Sequence, residues 1–280
     1  MRAAPTSAMP SPRREPRASR IFPWWLLAIA LLGLVTLWAV IADEGYSEIF
    51  ATLTKGVVTT AWVTLVAFSL AAVLGLVVAL ARTSGNQWLV QPATFYVEIV
   101  RGVPILVALF YVAFVGAPAM VAAANWLLTP LIAVGWASEI TIRNFDFTWR
   151  AIVALTVCYS AFISEIFRAG IEAVDRGQIE AARSLGLSRW NTFRHIVAPQ
   201  ALRTILPPLG NDFVSMIKDT ALVSALGVQD ITQLGKVYSS GTFKFFETYN
   251  VVAFLYLIMT ISLSLLVRLL EDRMRRPDHG

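Results

Sequence analysis

With a single cysteine in 280 residues, the chain can build neither a disulfide framework nor a cysteine-based metal site. Cys158 lies inside an apolar run and reads as a small core residue. Histidine is nearly as scarce: there are only His195 and His279, and neither has a metal partner at helical spacing. No metal site, no cofactor site and no nucleophile–base set emerge from the residues. The phosphate-binding pattern G-x-x-x-x-G-K-[ST] is also missing, since Gly235-Lys236 lacks both the preceding glycine and the following hydroxyl residue. The chain therefore reads as no enzyme, and any ATP hydrolysis has to come from another chain. Charge is sparse too, at 15% against roughly a quarter in ordinary globular chains. The net charge of +5 sits in short clusters between apolar runs, so a nucleic-acid-binding face is excluded.

What is abundant is apolar surface, with 57% hydrophobic residues and a mean hydropathy of +0.65. That supplies roughly five to seven helical spans of about 20 residues each. The runs are continuous rather than alternating, which points to helices and not a barrel. The expectation is an all-α polytopic membrane protein. Residues 1–22, with five Arg and four Pro and no hydrophobic period, read as a disordered tail. Residues 23–42 read as an extra N-terminal span. A signal-peptide core with cleavage at Ala42 is the alternative, but the run is long for that role. Further spans are expected at 57–81, 103–123, 149–169, 205–228 and 249–270. Trp24, Trp25, Trp149 and Tyr249 stand at run edges, where amphipathic rings favour the membrane interface. Residues 125–136 are apolar but short, and Pro130 and Gly135 interrupt them. They read as a surface or re-entrant segment.

The basic residues set an orientation. Sorted by alternate loops, 17 fall on one side, among them Arg82, Arg101, Arg168, Arg183 and Arg273, and five on the other, Lys55, Arg143, Arg150, Lys236 and Lys244. The positive-inside rule puts the first set, and both termini, in the cytoplasm. The stretch "GQIEAARSLGLSRWNTFRHIVAPQ" at 177–200 is then cytoplasmic. Residues 171–185 are rich in helix formers, Gly186 is a stop, and Ser188 caps a second short helix at 189–197. Glu180 is at pairing distance in sequence from Arg183 and Arg176. Ala181 and Ala182 offer a small surface on which another chain can sit closely. An interfacial helix whose arginines reach for lipid headgroups fits the same residues.

This loop resembles the signature of binding-protein-dependent ABC importer permeases: E-A-A, three residues, G, nine residues, I-x-L-P. Here it stands as Glu180-Ala181-Ala182, Gly186, Ile196 and Pro199, with Ala198 in the place of Leu. "VEIVRGVPILVALF" (97–110) is similar to the R-G-T-P-L stretch of the polar amino-acid permease subfamily, with Val103 and Ile105 as variants. "YSAFISEIFRAGIEAVDRGQIEAA" (159–182) resembles that subfamily's approach to the loop. "GNDFVSMIKDTALVSALGV" (210–228) resembles its N-x-F-x-x-x-x-K-x-T-S-L segment, with Ala221 in the Ser place. The resemblance implies a permease domain over 45–273, a five-helix core carrying a cytoplasmic coupling loop at 171–200. It also implies partners: a cytoplasmic ATPase dimer gripped by the loop, a second permease subunit, identical or homologous, and an extracytoplasmic solute-binding protein. Membrane lipid surrounds the assembly and no nucleic acid takes part. The loop signature is shared by permeases for oxyanions, metals and peptides; an ATP-independent transporter and a membrane-embedded enzyme are rivals of other classes.

The remaining candidates lie inside the spans. Asn211, Asp212, Ser215, Lys218 and Asp219 fall within about 120° of arc at 100° per residue. Ionisable groups facing lipid cost roughly 2.5–3.5 kcal/mol each, so this face should meet protein or water. It either lines the solute path or is glue between helices, with Lys218 paired to Asp212 or Asp219. Pro207, Pro208 and Gly210 are expected to break the start of this helix. One span earlier, Glu165 either pairs with Arg168 or attracts the ammonium group of an amino acid.

Overall fold

Capping side chains and apolar length together define the helices. The computed structural model describes residues 24–275, so the tail expected at 1–22 lies outside them. Among the described residues there is no strand. Helix α1 (Trp24–Ala42) is apolar throughout except for Thr36, whose hydroxyl bonds the Leu32 carbonyl. Asp43 starts α2 (Glu44–Thr83) by accepting the Tyr46 N–H. At 40 residues, α2 is about 60 Å long, twice the hydrocarbon thickness. Its first turns are too polar for a hydropathy window, yet Ile49 and Leu53 anchor them in a buried cluster with Ile231, Val251, Val252 and Leu255.

Helix α3 (Gln87–Gly102) follows an Asn86 cap and stops before Pro104. Helix α4 (Ile105–Ala133) corrects two expectations, for it passes straight through the anticipated end at 123 and absorbs residues 125–133. Those residues are no separate surface segment. Their position is fixed by Asn125, whose side chain bonds both the N–H and the carbonyl of Ile140, a tertiary clamp that overrides the loss of one N–H at Pro130. A wide π turn at Val112–Gly116 precedes Pro118 in α4.

Helix α5 (Phe147–Glu172), capped by Asp146, packs along α2 and forms the centre of the fold. Both helices bury small residues at the contact, Ala67, Ala71 and Gly75 on α2 against Ala151, Ala154, Cys158 and Ala161 on α5. Lipid tails give no hydrophobic drive for helix association, so close backbone approach supplies the contact instead. A Cβ on Gly75 would lie 2.9 Å from the Ser160 carbonyl oxygen. Cys158 is buried here.

Helix α6 (Arg176–Ser184) precedes a long helix, α7, over residues 189–219. It comprises Arg189–Thr192, a π turn at Phe193–Val197 and Ala198–Asp219. The expected short helix at 189–197 is thus the first part of the span. Pro207 and Pro208 do not break α7; each removes one N–H, leaving the Arg203 and Thr204 carbonyls without their usual partners. Each π turn ends two residues before a proline, Pro118 or Pro199, and the last wide bond runs from the Ala117 N–H to the Val112 carbonyl in one and from the Ala198 N–H to the Phe193 carbonyl in the other. The chain continues as a 3₁₀ segment, Thr220–Leu226, ended by left-handed Gly227. Helix α8 (Ile231–Thr242) is short and wedged between α2 and α9 (Phe245–Arg275). By length and composition α2, α4, α5 and α9 can cross a membrane, α1 is a shorter apolar helix, and α7 carries Arg203, Asp212, Lys218 and Asp219. The protein is a multi-pass membrane protein.

Candidate functional site

Two groups of polar residues stand out from this apolar frame, the loop at one end of the bundle and the interior faces of α5 and α7. The loop is built from caps. Asp175 accepts the Gln178 N–H to open α6, and Ser188 accepts the Asn191 N–H to open α7. Between them Gly186 sits at φ 81°. Its N–H bonds the Arg183 carbonyl, and the Leu187 N–H bonds the Ala182 carbonyl. That pair of bonds closes α6 with a left-handed residue, the conformation glycine adopts without steric cost.

The caps decide which residues face out. Ala182 is only 2% exposed, which corrects its expected place on an outer surface. Glu180, Ala181, Gly186 and Pro199 are exposed and Ile196 is half-buried. Pairing of Glu180 with Arg183 or Arg176 does not occur; no ion pair involves Glu180 among the described residues. Two residues the sequence reading missed dominate the outer face. Leu185 is 82% exposed and Trp190 64% exposed, with Trp190 stacked on Phe193 at 6.1 Å between ring centroids. The signal was present as two bulky apolar residues in a charged segment.

Inside the bundle, Glu165 on α5 gathers three guanidinium groups. Arg82 of α2 donates to Oε1 at 2.6 Å and Arg101 of α3 to the same oxygen at 3.4 Å. Arg168 donates to Oε2 through Nε at 3.0 Å and Nη2 at 2.7 Å, and through Nη1 to Glu172 at 2.6 Å. The expected pairing of Glu165 with Arg168 is therefore present, but as part of a cluster in which three cations meet two carboxylates. Both Glu165 oxygens are engaged, leaving the residual charge positive. Arg101 is the most exposed of its three cations, 43% on its side chain, and lies over the Phe162 ring at 5.7 Å. Arg82 and Arg101 come from separate helices, so sequence spacing could not join them to Glu165.

On α7 the polar residues do share one face, but they are not self-satisfied. No carboxylate lies within ion-pair distance of Lys218 among the described residues, so the expected pairing with Asp212 or Asp219 is absent. Asp219 instead accepts from the Tyr159 hydroxyl of α5 at 2.7 Å. Asn211 and Lys218 are exposed, while Asp212 and Ser215 are half-buried. Val214, Met216 and Ile217, interleaved with them, are buried. The face is an open polar stripe, with ionisable groups that the fold bears only where water or protein meets them.

Residues 71–276 match the family described as binding-protein-dependent transport system inner membrane component. The chain is 35% identical over 228 residues to the probable amino-acid permease protein YxeN of Bacillus subtilis (strain 168), covering 81% of this chain and 93% of that protein. It is 35% identical over 223 residues to the glutamine transport system permease protein GlnP of Escherichia coli (strain K12), covering 80% and 93%. Among solved structures, an amino acid ABC transporter crystallised with histidines superposes with TM-score 0.67 at 34% identity, covering 83% of this chain and 97% of that one. An inward-facing MetNI methionine ABC transporter gives TM-score 0.61 at 21% identity, a likeness of fold.

Proposed function

The chain belongs to the binding-protein-dependent transport system inner membrane components, and from that membership we propose that it is the permease subunit of an ATP-driven importer of polar amino acids. Two permease subunits form the pore. A soluble receptor outside the cell delivers solute, and a cytoplasmic ATPase dimer docks on the loop at 171–200. The permease moves solute by alternating access, needs no cofactor and makes no covalent change. The observation that carries this reading is the rigidly capped loop, which turns Leu185 and Trp190 outward beside Glu180, Ala181 and Gly186. Amino-acid specificity is supported by relatives named as glutamine and amino-acid permeases.

Charge distribution inside supports the same substrate class. The arginine cluster around Glu165 is positive, while Asp212 and Asp219 bring negative charge to the α7 stripe, so a zwitterion finds both signs along one route. In this arrangement Glu165 serves the path by holding Arg82, Arg101 and Arg168 in place, and Arg101 meets the carboxylate of the solute. Purified permease, its ATPase and its receptor, reconstituted in vesicles, should accumulate a radiolabelled polar amino acid only with ATP, and unlabelled glutamine-like amino acids should compete. Accumulation of an oxyanion, a metal ion or a peptide in place of amino acids would overturn the substrate assignment.

The orientation proposed here places both termini and the loop in the cytoplasm. In a Cys158→Ala background, Ser188→Cys should be shielded from impermeant thiol reagents in intact cells, and Ser240→Cys, exposed on α8, should react. Labelling of position 188 from outside would reverse the topology and remove the docking role with it.

A further inference from the structure

Two apolar cavities of about 580 Å³ and 400 Å³ lie between α2, α7 and α9. They share Leu65, Phe213, Leu263 and Leu266, so they form one groove running along α9 from Met259 to Arg273. We propose that this groove holds an acyl chain of an anionic phospholipid from the cytoplasmic leaflet, with its headgroup at Arg273.

Length argues for a lipid chain. Met259 to Arg273 spans about 21 Å at 1.5 Å per residue, which is one leaflet of about 15 Å of hydrocarbon plus the reach to the headgroup. Direction argues the same way. On α7 the groove is lined by Leu206, Leu209, Gly210, Phe213 and Ile217, centred about 180° from the stripe Asn211, Asp212, Ser215, Lys218 and Asp219 at 100° per residue. If the stripe faces the solute path and the second permease, as proposed above, the groove faces lipid.

Charge at the mouth selects the headgroup. Glu271 and Arg273 line the mouth and do not pair with each other; Arg273 has no ion-pair partner among the described residues. Arg203, exposed one turn toward the loop from Leu206 on the same side of α7, adds a second cation. The balance at the opening is positive, and phosphates of the inner leaflet are the anions within reach. Ser262, which lines the groove and is exposed, offers a place to block it without touching a buried residue.

The test uses the assembled complex in vesicles that contain phosphatidylglycerol carrying a photoactivatable diazirine in its acyl chain, with the same probe on phosphatidylcholine as the second arm. Crosslinks should concentrate on Phe213 and on residues 259–266, more with the anionic probe. Ser262→Trp should lower this labelling several-fold while leaving the complex assembled. Arg273→Gln should lower the anionic-over-zwitterionic preference by about fivefold, the worth of one cation at a membrane surface, with no change in groove shape. Even labelling of all lipid-facing residues would overturn the proposal, and so would a disulfide from Ser262→Cys to a second permease copy. Failure of the path reading would appear in uptake by stripe variants and would leave the crosslink pattern as it is.

Discussion

Ser215→Trp should abolish uptake while the complex still assembles. Ser215 is half-buried in the middle of the polar stripe of α7, flanked by Asn211 and Asp212 on one side and by Lys218 and Asp219 on the other. An indole there fills the route without removing a charge or a hydrogen-bond partner. If the stripe lines the path, transport should fall by tenfold or more, at least about 1.4 kcal/mol added to the translocation barrier. If the stripe is packed between helices, the same indole overfills a core at a cost of about 1–3 kcal/mol, and the loss appears in assembly. Lys218→Met is a clean companion because, among the described residues, Lys218 has no ion-pair partner to strand. It should leave stability nearly unchanged and alter uptake only if the ammonium group faces the solute. Uptake measured beside size-exclusion profiles of the purified complex separates the outcomes, and normal uptake by an assembled Ser215→Trp complex would return the stripe to the role of glue.

At the loop, Ala181→Arg should uncouple ATP hydrolysis from solute. Ala181 is exposed beside Glu180, so a long cation there obstructs any protein surface that must approach, whereas at buried Ala182 the same change would disrupt the loop itself. Loss of one hot-spot contact is worth about 2 kcal/mol or more, so solute-stimulated ATP hydrolysis and uptake should drop about thirtyfold. Under the interfacial-helix alternative the added arginine reaches lipid headgroups and is neutral or mildly favourable. The two readings thus predict opposite signs. Gly186→Val tests the geometry independently: at φ 81° a β-branched residue costs about 1–2 kcal/mol and re-aims Leu185 and Trp190. Full activity in both variants, measured in reconstituted vesicles, would remove the docking role.

The sequence carried the helices whose ends depend on neighbours in the chain. Helix α5 was expected at 149–169 and runs from Phe147 to Glu172, because Asp146 supplies a local cap. The stop at Gly186 and the start at Ser188 were legible for the same reason, as was the all-α class. Features that depend on distant residues were not. The first turns of α2 are held by Ile231 and by Val251, Val252 and Leu255 from the far end of the chain, and α4 is fixed through Asn125 and Ile140. The burial of Ala182 was not legible from composition. The guanidinium cluster needed α2, α3 and α5 side by side. The polar stripe itself was visible as a periodicity, but that Asp219 would choose Tyr159 over Lys218 was not.

One consequence follows from α7 being continuous from the loop into the bundle. Its 31 residues between 189 and 219 make a rod of about 46 Å, so a push on the loop arrives at Asp219 as a displacement of the rod and not as the melting of a hinge. The compliance that remains is at two joints, the π turn at Phe193–Val197 and the paired prolines, where ladder bonds are rearranged or missing. The hydrogen bond from Tyr159 to Asp219 sits at the far tip. A tilt of the rod by a few degrees about either joint is therefore multiplied by its length before it reaches that bond, which makes α7 a lever with its load at the Tyr159–Asp219 contact.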